Sequence, residues 1–146
     1  MNGVFRRTAF AVAAAAVLVL VPMAIGSSQT TAAPAGTLTS ASFHSSTLGE
    51  NVAYNLYLPA GYSDSGARRY PVLYLLHGRG DTMAAWTQMK GTLDQLIADG
   101  SIPATIAVMP DAPWSQRASY YVDSSYSGAD PGRPVETAFT QDLIQH

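Results

Sequence analysis

The chain contains no cysteine. That single absence excludes a disulfide framework, a cysteine-based metal site, a lipoprotein anchor and a thiol nucleophile. Charge is scarce as well: 12% of the 146 residues are charged against 47% hydrophobic, and the formal net charge is −2. Such a composition describes a globular chain, neither disordered nor suited to neutralising a phosphate backbone, so nucleic acid is not expected as a partner. The three histidines, His44, His77 and His146, have no metal-ligand spacing. No glycine-rich phosphate loop occurs, because His77-Gly78-Arg79-Gly80-Asp81 lacks the P-loop lysine and its spacing. Neither a metal nor a cofactor is expected. The 146 residues also lack a G-x-S-x-G, and after the last apolar period no glycine, asparagine or proline provides a stop.

What is present centres on Tyr70 to Asp81, YPVLYLLHGRGD. Val72 to Leu76 is too short for a helix, and its apolar content predicts a strand buried on both faces. Gly78 and Gly80 at its carboxyl end allow a tight turn with peptide N–H groups facing a substrate, at the rim where open α/β sheets do their chemistry.

Met1 to Ala35 reads as an export signal: Arg6 and Arg7, an apolar centre from Ala11 to Ile25 broken by Pro22, and an A-x-A site at Ala33-Pro34-Ala35. Cleavage is expected before Gly36, leaving 146 − 35 = 111 residues outside the cytoplasm, with no stable membrane insertion afterwards. The competing reading is a transmembrane anchor over Phe10 to Ile25. Paired arginines fit both general and twin-arginine export.

Gly36 to Leu48 is an edge strand or a loose entry segment. Asn51 to Leu58 alternates as a half-buried antiparallel strand. Gly61 to Gly66 contains G-x-S-x-S but leads into a strand instead of a helix, so it reads as a solvated turn and not a nucleophile elbow. Asp81 or Thr82 caps a helix carrying Met83, Trp86 and Met89; Gly91 is expected to interrupt it, Thr92 with Gln95 to restart it as a capping box, and Gly100 to end it. Ala104 to Met109 is a second parallel strand whose end, Pro110-Asp111-Ala112, lies beside His77-Gly78. Asp111 reads as a turn or cap residue. Trp114 to Pro134 is a loop rich in Tyr, Ser, Asp and Gly, and Pro134 starts a final helix with Val135, Phe139 and Leu143 on one face and Glu136 at the positive end of the dipole.

LLHGRGD followed by Trp86, MPDA at Met109 to Ala112 and SYYVDS at Ser119 to Ser124 together resemble the amino-terminal half of the secreted esterase family of α/β-hydrolases. That family includes feruloyl and acetyl xylan esterases, enterochelin esterases, formylglutathione hydrolases and mycolyltransferases. The resemblance runs from about Asn51 to His146 and implies an α/β-hydrolase fold: three layers, a mostly parallel central sheet, incomplete and represented by its amino-terminal part in residues 36–146. In that family the last helix leads into the strand bearing G-x-S-x-G, so the sequence looks cut there.

The resemblance further implies a serine ester hydrolase whose second oxyanion donor is the backbone N–H of Arg79, with Gly80 as the alternative. His77 is expected to brace the loop, and Trp86, Tyr120 and Tyr121 are candidate substrate contacts, with core packing as the plainer role. A small-molecule or carbohydrate-linked ester is the implied substrate. Two other functions stand beside hydrolysis: acyl transfer to a sugar hydroxyl on the same scaffold, and a non-catalytic cell-surface or carbohydrate-binding module.

Overall fold

The computed structural model describes residues 33–112, 121–128 and 131–146. Most of the expected leader, and Tyr120, lie outside the described residues.

Strand β1 (Thr37–Ser45) forms an antiparallel hairpin with β2 (Glu50–Leu58), Phe43 opposite Val52 and Thr39 opposite Leu56. The segment read as an edge strand or entry segment is thus a nine-residue strand. Its turn closes with the Gly49 N–H donating to Ser45 O at 2.9 Å, Gly49 adopting φ 70°, which favours glycine. Strand β3 (Val72–Tyr74) runs parallel to β4 (Ile106–Pro110), as expected, and β4 lies antiparallel to β2. The order β1-β2-β4-β3 makes a mixed sheet.

Alternation divides the side chains between two cores. Phe43, Val52, Tyr54 and Val108 pack on one face with Val135, Phe139 and Leu143. Tyr57, Ala107 and Met109 pack on the other with Leu93, Trp86 and Ile97. Helices therefore cover both faces, giving three layers. Two burial expectations are reversed by this arrangement. β2, read as half-buried, is covered on both faces, because Phe139 and Leu143 pack on the side of Tyr54 and Leu93 and Trp86 on the side of Tyr57; Tyr54, Asn55 and Tyr57 are all buried. Asn55 tolerates this because its side chain accepts from Ser40 Oγ at 2.6 Å and donates to Met83 O at 3.0 Å. β3, read as buried on both faces, has only β4 beside it among the described residues, and Val72, Leu73 and Tyr74 are 47%, 41% and 37% exposed.

Thr82 caps a 3-10 segment, Met83–Met89, accepting from the Ala84 N–H at 3.3 Å. The segment passes directly into α1 (Lys90–Ala98), and Gly91 does not interrupt it. A helical glycine costs about 1 kcal/mol; burial of Leu93 and the Lys90–Asp94 pair at 2.7 Å, one turn apart, offset it. Thr92 consequently sits inside the first turn of α1, and no side chain caps that helix. Gly100, at φ 77°, ends it as expected.

The final helix starts after Pro134 as α2 (Val135–Thr137) and widens into a π-helical segment, Ala138–Leu143. The Thr140 hydroxyl takes the Glu136 carbonyl at 2.8 Å, a back-bond that competes with the regular ladder there. Asp142 on this segment accepts from Ser45 Oγ at 2.6 Å, Ser46 Oγ at 3.2 Å and the Thr47 N–H at 3.0 Å, tying the last helix to the β1–β2 turn. The Ser45 hydroxyl and the Thr47 N–H, chief among these donors, hold the Asp142 carboxyl at about 2 against an ordinary 3.8. A depressed carboxylate stabilises the fold above its unfolded pKa and loses that contribution as pH falls through its folded one. Thermal unfolding recorded from pH 5 to pH 2 should therefore show a steep loss of Tm below about pH 4 that is flattened in Asp142→Asn. Identical profiles would show that the clamp does not matter.

Candidate active-site loop

The strand β3 ends in a loop that is held from several directions. The Leu76 carbonyl accepts from Trp86 Nε1 at 2.9 Å. The His77 N–H donates to the Tyr121 hydroxyl at 3.3 Å, and that hydroxyl donates to Pro110 O at 3.2 Å. His77 itself is buried; its Nδ1 lies 2.9 Å from Gly78 O, and its Nε2 accepts from the Ala112 N–H at 3.2 Å. These two bonds place the ring proton on Nδ1. In the other tautomer Nε2–H faces Asp111 Oδ1 at 3.3 Å. With the proton on Nδ1, both ring nitrogens are committed to the backbone at the ends of β3 and β4, and neither is left to take a proton from a nucleophile.

Beyond His77 the backbone turns. The Asp81 N–H donates to Gly78 O at 3.2 Å, and Gly80 sits at φ 75° in the third position, the pattern of a type II turn with Arg79 second. Any side chain at Gly80 would be strained in this conformation even though the space around it is open. The N–H groups of Gly78, Arg79 and Gly80 have no acceptor among the described residues, and all three residues are exposed. The turn therefore presents unpaired backbone donors at the carboxyl rim of the sheet, held by His77, Trp86 and Tyr121 behind it.

The expected site residues have different placements. Arg79 and Gly80 are at the tip of the turn. Trp86 is half-buried, packed on the Tyr57–Met109 core, with its indole N–H spent on Leu76 O. Tyr121 is half-buried against His77 and Phe139, with ring centroids 5.4 and 5.3 Å away. Burial pushes its hydroxyl up to about 12, with the charges of Asp111 and Asp81 adding to the effect, so it stays protonated and able to donate. Asp111 serves as a cap from a distance: its Oδ1 accepts the Met83 N–H at 3.2 Å. Ser63 lies on an exposed loop, its Oγ 3.0 Å from Ser65 Oγ and with no imidazole bonded to it.

Near this loop, the sequence alone does not single out Asp123. Asp123 accepts from the Thr137 N–H at 2.9 Å and Thr137 Oγ1 at 2.6 Å, capping α2 from the preceding loop; the Thr137 hydroxyl, then its N–H, lower the Asp123 carboxyl. Its place within SYYVDS, two residues after Tyr121, was the available signal. Among the described residues no cluster of His, Asp and Glu is arranged to hold a metal, and no helix is long and apolar enough to cross a membrane.

Comparison with known proteins follows the same outline. An endo-1,4-beta-xylanase/feruloyl esterase of Xylanibacter ruminicola is 42% identical over 80 residues, which is 51% of this chain and 11% of that protein. A ferulic acid esterase structure superposes with a TM-score of 0.64 at 28% identity, covering 76% of this chain and 42% of that one. An S-formylglutathione hydrolase from Agrobacterium tumefaciens superposes at 0.55 with 17% identity over 77% of this chain and 43% of that one, a likeness of fold alone. The chain thus spans under half the length of these relatives. Residues 45–146 match the model of the Esterase family, described as "Putative esterase", so the chain belongs to that family and carries part of the α/β-hydrolase fold.

Proposed function

We propose that this chain provides the oxyanion loop of an exported serine carboxylic-ester hydrolase acting on carbohydrate-linked aromatic esters of the feruloyl type. The observation that carries the reading is the turn at Gly78–Asp81, whose N–H groups at the carboxyl end of β3 have no acceptor among the described residues. Membership of the Esterase family and the names of its feruloyl esterase relatives support the substrate class.

In this mechanism a serine oxygen attacks the acyl carbon while a histidine takes its proton, and the carbonyl oxygen becomes an oxyanion. The N–H of Arg79, with Gly80 as the alternative, donates to that oxyanion. Collapse expels the alcohol, which takes the proton from the histidine; water then attacks the acyl-serine as the histidine takes its proton, and that proton returns to the serine oxygen as the acid is released. The mechanism also requires a serine nucleophile, a histidine base and an orienting carboxylate, a set that the described residues do not bring together. Met1 to Ala35 serves as the export leader, which puts the enzyme outside the cytoplasm with its substrate.

The test is to incubate the full-length protein with methyl ferulate and, separately, with a fluorophosphonate probe. Released ferulate together with stoichiometric labelling of one serine outside Gly36 to His146 is expected. Faster transfer of the acyl group to an added sugar than to water would make the protein an acyltransferase. Neither turnover nor labelling would leave a non-catalytic module and overturn the proposal.

A further inference from the structure

Gly36, the residue that follows the Ala33-Pro34-Ala35 site, is buried, whereas Ala33, Pro34 and Ala35 are exposed and have no regular secondary structure. Its nitrogen lies 2.7 Å from Asp94 Oδ1 on α1. A side chain is impossible there without rearrangement: a Cβ would fall 2.5 Å from Leu58 O and 2.5 Å from the ring of Tyr57, which is itself fully buried. Asp94 is the hub of this corner. Its Oδ1 also accepts from the Tyr57 hydroxyl at 2.9 Å, and its Oδ2 from Lys90 Nζ at 2.7 Å.

We propose that Asp94 is a binding site for the chain's own α-ammonium group, created at Gly36 when the leader is removed. The inference rests on the export reading above, but not on the ester chemistry. In the unprocessed chain Asp94 receives a neutral peptide N–H. Cleavage before Gly36 places a cationic amine at the same atom, so a neutral hydrogen bond becomes a charge-assisted one without any movement of the sheet. The fit explains why glycine stands at this position: the amine reaches the carboxylate only if the first residue passes between Tyr57 and Leu58 O. Processing would then fasten the start of β1 to α1 across the Tyr57 core.

The groups facing the amine are Asp94 and Lys90 of α1, Tyr57 of β2, and Asp99, which lines the same surface hollow as Ala33 to Ala35 and Asp94. An adjacent carboxylate favours the charged amine and Lys90 opposes it; at 2.7 Å the direct contact with Asp94 dominates, and the amine titrates above the ordinary value of about 7.7–8.0. The sign follows from that direction. A raised pKa gives a stabilisation fully present below about pH 8 and lost as pH rises through the folded value.

The experiment uses the full-length protein recovered after export. Its amino terminus is first read by mass spectrometry, and the α-amine is then converted to its 13C-dimethyl form and titrated by NMR. A terminus at Gly36, with an amine pKa raised by about 1 and restored to the ordinary range in Asp94→Asn, is expected. Because Asp94→Asn removes part of the Tyr57 and Lys90 contacts as well, a second variant inserts one serine between Ala35 and Gly36. It keeps the Gly36 amide on Asp94 but moves the charge away, and its amine should titrate in the ordinary range while the fold persists. A terminus elsewhere would overturn the export reading and the site together. A terminus at Gly36 whose amine titrates alike in all three proteins would overturn the site alone.

Discussion

Replacing Arg79 by proline in the full-length protein is expected to lower kcat about a hundredfold or more, whereas Arg79→Ala lowers it far less. Proline deletes the backbone N–H, and loss of one oxyanion donor costs about 3 kcal/mol of transition-state stabilisation. Alanine keeps that N–H and removes only an exposed guanidinium. The turn geometry makes the comparison clean: Arg79 occupies the second position of a type II turn, where proline is favoured, and Gly80 at φ 75° supplies the third. The Asp81–Gly78 bond and the His77–Gly78 contact do not use the Arg79 nitrogen, so both survive the change. Circular dichroism should report unchanged folding for both variants. Equal losses of kcat in two well-folded variants would move the role to the guanidinium.

The span Gly36 to His146 made alone is expected to show no ester hydrolysis above background and to associate as its concentration rises. Silence follows from the placement of its own groups: His77 is spent on Gly78 and Ala112, and Ser63 bonds only to its own loop. Association follows from β3, which has one edge unpaired among the described residues and presents Val72, Leu73, Tyr74 and nearby Leu76 as exposed apolar residues. Unpaired strand edges of that composition template pairing with other chains. Light scattering against concentration should show the effect, and Leu73→Lys should reduce it by placing charge on the edge. A monomeric span that unfolds cooperatively and takes up a fluorophosphonate stoichiometrically, on Ser63 or any other serine, would refute both parts.

The sequence carried the strands and their neighbours well where period and composition acted locally. The alternation of Asn51 to Leu58, the two short apolar runs that form β3 and β4, and the stop at Gly100 all depend on a few adjacent residues. Burial depends on what lies beside a strand, which local period does not encode. Hence β2 and β3 exchanged their expected environments: an apolar run records a capacity for cover, and only β4 pairs with β3 among the described residues. Gly91 misled because its intrinsic cost is small beside a buried Leu93 and a hub at Asp94 that gathers Lys90, Tyr57 and Gly36 from separate segments. At the loop, the glycine spacing of HGRGD announced a turn with free donors. The supports behind it, Tyr121 on His77 and Asp111 on Met83, join residues 28 to 44 positions apart, and no local pattern reveals such pairs.

The most direct measurement is a crystal structure of the full-length protein carrying a covalent fluorophosphonate adduct, which mimics the tetrahedral oxyanion. The phosphoryl oxygen should lie about 2.7–3.1 Å from the backbone nitrogen of Arg79 or, failing that, of Gly80. A phosphoryl oxygen held entirely by donors outside His77 to Asp81 would contradict the claim that this loop forms the oxyanion hole.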